Sequence, residues 1–172
     1  LSHRAYNRIK NHLLHSTSGE FNIAQAAGPQ SMLVFTRKSG KPLTSGIPLL
    51  YSHNGYHKLF LPEINSVLSI LRREETWVLG DVSHTSADFR DELFQSNLQR
   101  DVKRLYLHEY VNLWEEYLAD VRLINTTTMM QSLEVARVLS APDSPVAQFL
   151  RSVARETQLL PQAETTSDNN SL

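Results

Sequence analysis

No cysteine occurs anywhere in the 172 residues. Disulfide staples, thiolate-bound zinc and thiol catalysis are therefore excluded, while the redox compartment stays open. The chain also lacks an excess of charge: 17 Lys and Arg stand against 18 Asp and Glu. Without a basic surplus or a dense Lys/Arg cluster, no nucleic-acid partner is expected. No apolar run approaches the ~18 residues of a membrane span, and no secretory signal opens the chain. This stretch is not expected to insert into a membrane. It begins at Leu1 and not at methionine, so it reads as a fragment whose parent could carry an anchor elsewhere.

What is present is enough for a folded domain. The apolar share is 41%, ordinary for a globular protein, and the length allows one real core. The organising stretch is Asp101–Leu123. Val102, Leu105, Tyr106, Tyr110, Leu113, Trp114, Tyr117, Leu118 and Val121 recur at steps of three and four, the spacing of one helical stripe. The helix is predicted from about Ala87, with Ser86 as cap and with Phe89, Leu93, Phe94 and Leu98 extending the stripe backward.

Other helices follow from similar signals. Residues 1–14 show an apolar face of Ala5, Tyr6, Ile9, Leu13 and Leu14, with Ser2 as cap. Residues 21–27 suit one or two turns before Gly28-Pro29. Asn54 can cap a turn through Phe60, and Pro62 suits the start of a helix with Ile64, Val67, Leu68 and Leu71 inward. Arg72-Arg73 suit its C-terminal dipole, Trp77-Val78-Leu79 read as a docking anchor, and Gly80 as the break. After a loop at Thr126–Thr128, Met129, Met130, Leu133, Ala136 and Leu139 are expected to face inward. Ser144-Pro145 is a start signal for a last helix striped by Val146, Phe149, Leu150, Val153 and Ala154. Between Met32 and Tyr51 two short apolar runs are separated by Gly40, Pro42 and Gly46. They fit a hairpin or an irregular connector, with Pro48 weakening the strand reading. The predicted class is all-α: a helical bundle with a short connector around residues 32–51, followed by a polar linker or disordered tail at 161–172.

The search for chemistry is negative. His108-Glu109 opens like a zinc-peptidase helix, but Asn112 stands where the second histidine belongs. Ser39-Gly40-Lys41 resembles the end of a phosphate loop, but Pro42 replaces the magnesium-holding hydroxyl. His53/His57 and His12/His15 have spacings that put each pair on one helical face, without a further fixed ligand. Adjacent carboxylates at Glu74/Glu75 and Glu115/Glu116 do not face each other on a helix. No catalytic residue, metal ligand or cofactor site is assigned, and no enzyme is expected. Tyr56, Tyr110, Trp114 and Tyr117 are candidate anchors, either of an interface or of the core.

Four phrases, taken together and in order, carry a family resemblance: GIPLLYSHNGYHKLFLPEI (Gly46–Ile64), WVLGD (Trp77–Asp81), Asp101–Leu123, and LEVARVLSAPDSPVAQFLRSVARETQL (Leu133–Leu159). They resemble the periplasmic portion of the IcmF/TssM family, the large inner-membrane component of type VI secretion systems. The resemblance implies a non-catalytic scaffold, with residues 1–160 a helical domain fragment of a larger membrane-anchored protein. It implies a periplasmic location, and as partners other copies of the same protein, a TssJ-like outer-membrane lipoprotein and a DotU/TssL-like inner-membrane protein, reached through the full-length parent. The alternative reading is a helical periplasmic domain that binds a small ligand or cell-wall component through its aromatic face.

Overall fold

The computed structural model describes residues 1–79 and 87–160, with the side chains of 72–79 and 87–91 left out. The expectations for Arg72-Arg73, Glu74/Glu75, the Trp77–Leu79 anchor, the Gly80 break, the Ser86 cap, Phe89 and the 161–172 tail lie outside what is described.

The chain is mainly helical, as its periodicity predicts. Among the described residues α1 (Ser2–Ser16), α2 (Ile23–Ala26), α3 (Ser31–Val34), α4 (Leu61–Leu79), α5 (Ala87–Asp120), α6 (Met129–Leu139) and α7 (Pro145–Thr157) surround two small antiparallel sheets. β1 (Glu20–Phe21) pairs with β3 (Ile47–Pro48), and β2 (Phe35–Arg37) pairs with β4 (Val121–Leu123). The two apolar runs of the connector therefore do not form a hairpin with each other. The first is α3 and β2, whose strand partner follows α5; the second is β3, whose partner precedes α2. Pro48 is tolerated because a two-stranded ribbon has only edges, where its missing N–H leaves no ladder bond unmade.

α5 packs chiefly on α1, with α4 completing the layer. Its stripe is real: Leu98, Val102, Tyr106, Tyr110, Trp114 and Tyr117 are buried. The stripe is also shorter at both ends than its spacing suggests. Leu93, Phe94 and Leu118 are exposed, and the helix stops at Asp120, so that Val121 enters β4.

Local signals account for several boundaries. Ser144 Oγ accepts from Ala147 N–H, with Pro145 at the first helical position, as predicted. Thr128 caps α6 in the same way through Gln131 N–H. Two predicted caps are different. Leu1, not Ser2, precedes α1, and Ser2 instead donates across the core to Asp101. Asn54 makes no side-chain cap; Gly55 N–H is taken by Ser52 Oγ at 3.0 Å.

Gly55–Phe60 then forms one wide π-helical turn that runs directly into α4. Position 55 must be glycine on grounds of space. A Cβ there would lie 2.2 Å from the carbonyl oxygens of both Leu49 and Leu50. This close approach lets the 3-10 turn Leu49–Tyr51 rest against the π turn and places two backbone carbonyls beside α5.

The last two helices depart furthest from expectation. On α7, Phe149 and Ser152 face in, whereas Leu150 is exposed; Ser152 Oγ donates to the Ala26 carbonyl. On α6 most of the predicted inward stripe faces solvent: Met129, Met130 and Leu133 are 81%, 77% and 61% exposed and Ala136 is exposed with them, while Leu139 packs against the core as expected. The side chain that α6 buries is Val138, with Val135 and Leu139 packed beside it. The cause is an ambiguity in the sequence, since this helix is apolar on two sides and only one meets the core.

Candidate functional site

The chemistry-bearing side chains collect along α5, where a column of aromatic residues reaches α2, the Leu49–Tyr51 turn and α7. Successive rings at Tyr106, Tyr110, Trp114 and Tyr117 lie with centroids 6.1, 6.2 and 6.5 Å apart. Their spacing of three and four residues brings them to one face of the helix. Tyr106 also stacks on Phe60 at 4.0 Å and on Tyr51 at 5.3 Å, and Tyr56 leans on it at 5.4 Å. Phe21 covers Trp114 at 4.9 Å.

Each polar tip in the column has a backbone partner, and the four partners lie in three segments. Tyr106 Oη donates to the Leu50 carbonyl at 2.8 Å and Trp114 Nε1 to the Tyr51 carbonyl at 2.9 Å. Tyr110 Oη donates to the Glu156 carbonyl near the end of α7 at 2.7 Å. Tyr117 Oη accepts from Ile23 N–H at 2.9 Å. Burial pushes the Tyr106 and Tyr110 hydroxyls well above the ordinary phenol range, so both are neutral donors at any physiological pH. A buried amide or carbonyl left unpaired costs about 1–3 kcal/mol, which makes these contacts determinants of how the irregular segments sit.

The four predicted anchors, Tyr56, Tyr110, Trp114 and Tyr117, are thus all inside, at 9%, 5%, 3% and 5% exposure. Three of them share the column, and Tyr56 joins it from the π turn.

Two ionic clusters flank the column. Glu109, which its spacing leaves in water, turns toward α1, where Lys10 and Tyr6 both donate to its carboxylate. Tyr6 Oη also meets Tyr51 Oη at 3.2 Å. Partial burial acts to raise the Glu109 pKa, but the hydrogen bonds from Lys10 and Tyr6 together outweigh it and hold the carboxyl below its usual value. For Tyr6 burial comes first, and the neighbouring carboxylate adds to it; both push the hydroxyl up.

The second cluster went unseen in the sequence. Arg37 is buried, donates to Asp120 Oδ2 at 2.7 Å and to the Ser45 carbonyl at 2.7 Å, and lies 4.8 Å over the Tyr117 ring. Asp120 also accepts from Ser39 N–H and Oγ. These Ser39 bonds, with Arg37 behind them, lower the Asp120 pKa from 3.8 to about 2. The turn that resembles a phosphate loop is therefore closed by a carboxylate of its own chain: the Ser39 amide that an anion would need is already held.

No metal centre comes together among the described residues, where no three His, Asp or Glu side chains converge. The His53 and His57 rings lie 4.6 Å apart at a tilt of 48°, and His57 Nε2 bonds the Leu159 carbonyl at 2.8 Å. His108 meets only Asn112. Among the described residues no helix is long and apolar enough to cross a membrane. The arrangement fits holding segments together better than transforming a substrate.

A family model described as "IcmF-related: Intracellular multiplication and human macrophage-killing" matches residues 1–158, and so takes in the first 45 residues, which lie outside the four phrases. The chain is 39% identical over 159 residues to the type VI secretion system component TssM1 of Pseudomonas aeruginosa. That match takes in 92% of this chain and 14% of the relative. A chain of a solved type VI secretion system membrane core complex shares the fold at a TM-score of 0.65 and 13% identity, covering 92% of this chain and 27% of that one.

Proposed function

The chain belongs to the IcmF-related family, and on that premise we propose that it is a structural segment of a larger component of the type VI secretion membrane complex. In this reading residues 1–160 are one helical domain of a membrane-anchored parent, placed in the periplasm, and the domain acts by packing and not by catalysis. Its partners, engaged through the parent, are other copies of the same protein, a TssJ-like lipoprotein and a DotU/TssL-like inner-membrane protein.

The observation that carries the reading is the use made of the aromatic column. Tyr106, Tyr110, Trp114 and Tyr117 are buried, and each polar tip is committed to the backbone. Rings that bind a ligand or cell-wall fragment present a face to it. These rings present theirs to one another and to Phe21, Phe60 and Tyr51. A domain whose side chains fasten its own connectors is suited to transmit position, as a strut does. This supports the scaffold reading over the ligand-binding alternative.

The test is isolation of the full-length protein from detergent-solubilised membranes. The reading predicts co-isolation with other components of the secretion membrane complex, and labelling of a Glu116→Cys variant by an impermeant maleimide in intact cells. Isolation without any such component overturns the assignment to the complex. Labelling only after lysis overturns the periplasmic placement.

A further inference from the structure

α6 has two apolar faces on opposite sides, and the domain uses one. Val138, with Val135 and Leu139, meets the core. At about 100° per residue, Met129, Leu133 and Ala136 fall on one line with Met130 beside it, roughly half a turn from Val138. Met129, Met130 and Leu133 are the exposed large side chains of this line, and Ala136 is exposed with them. Apolar side chains exposed together on one surface mark a contact site, whereas single scattered ones do not. An isolated helix of this length is marginal in water, yet this one, capped at its N-terminus by Thr128, carries Met129, Met130 and Leu133 outward.

We infer that the Met129/Met130/Leu133 face of α6 is a docking surface for an apolar helical segment of the same parent polypeptide lying outside these 172 residues. The inference rests on the proposed reading of the chain as part of a longer protein. Size argues against a second copy as occupant. Three large side chains on one 11-residue helix are far fewer than the ~20–30 residues a side of a stable interface between separate molecules. A tethered segment needs much less contact, because the linker holds it at high effective concentration. Chain is available for this purpose in the relatives: the matched region is 14% of TssM1 and 27% of the solved core-complex chain. The residue types agree. Two unbranched methionines adapt to an irregular apolar partner more readily than β-branched side chains do.

Because these 172 residues have no cysteine, Met130→Cys places a single thiol on this face, with Glu116→Cys as the exposed reference, and labelling is read on the peptide that carries each. Maleimide labelling rates are compared in the 172-residue chain, dilute and concentrated, and in the full-length protein isolated from membranes. Unchanged melting of the short chain shows that the variant is folded. The inference predicts equal rates at 130 and 116 in the short chain at every concentration. In the full-length protein, taken as single chains separated from its assemblies by size, labelling at 130 should be about tenfold slower or more, the protection that ~1.4 kcal/mol of docking gives; protection confined to the assembled fractions overturns the inference. Equal rates in the full-length protein overturn it. So does a rate at 130 that falls as the short chain is concentrated, which identifies a second copy. A slow rate at all dilutions also overturns it, since the short chain would then cover the face itself. Co-isolation of other secretion components, scored in the same preparation, tests the functional reading separately from the labelling ratio.

Discussion

α5 and α6 carry apolar residues at the same helical spacing and use them in opposite ways. On α5 the stripe is aromatic, is buried, and ends in hydroxyl and indole groups that bond backbone from residues 23, 50, 51 and 156. On α6 the stripe is Met and Leu, has no polar tip, and lies in solvent. Apolar spacing identifies a helix face that wants cover; it does not say which molecule or segment provides it. The polar tips of α5 add direction, because each needs a partner at a fixed place, and the partners are in this domain.

The comparison can be broken by substitution. Trp114→Ala removes the centre of the column and should cost about 3–5 kcal/mol in urea unfolding of the 172-residue chain; a melt like the wild type's would mean the column does not hold the fold. Tyr106→Phe keeps the ring and removes the donor to the Leu50 carbonyl, for an expected loss of about 1–2 kcal/mol. Met130→Ser, on the exposed face, should change stability by no more than about 0.5 kcal/mol. A larger loss would show that α6 is already supported within the domain.

Acid sharpens the picture at the far end of α5. The Asp120 pKa is depressed in the folded state, from 3.8 to about 2. Its contribution is therefore fully present above the ordinary carboxylate value and is lost as pH falls from about 4 through about 2. Glu109, also depressed, acts in the same direction. Asp120→Asn should reduce the slope of stability against pH across that window, read by urea midpoints at stepped pH, and leave the slope near neutrality unchanged.

Much of this was legible in the sequence. The helical class, the course of α5, the Ser144-Pro145 start of α7 and the IcmF/TssM resemblance all appear in the structure or the family match. What was not legible is long-range. β2 finds β4 across the whole of α4 and α5, and Arg37 meets Asp120 83 residues away; no local spacing encodes either. Ser2 and Asn54 have the right side chains for caps, but a tertiary partner claimed Ser2 and Ser52 supplied the cap at Gly55. Glu109 lies off the apolar stripe, where charge on a helix usually stays in water, yet Lys10 and Tyr6 draw it in. Of the five α6 positions expected to face inward, Leu139 does and Met129, Met130, Leu133 and Ala136 do not, because two faces of this helix satisfy the same periodicity.

Amide hydrogen exchange on the dilute 172-residue chain tests the central claim most directly, because it reads both helices at once. The account predicts the slowest exchange, near the global unfolding limit, between Val102 and Tyr117, and exchange many-fold faster from Ser132 to Ala136. Equal protection of the two helices in the dilute chain would contradict it.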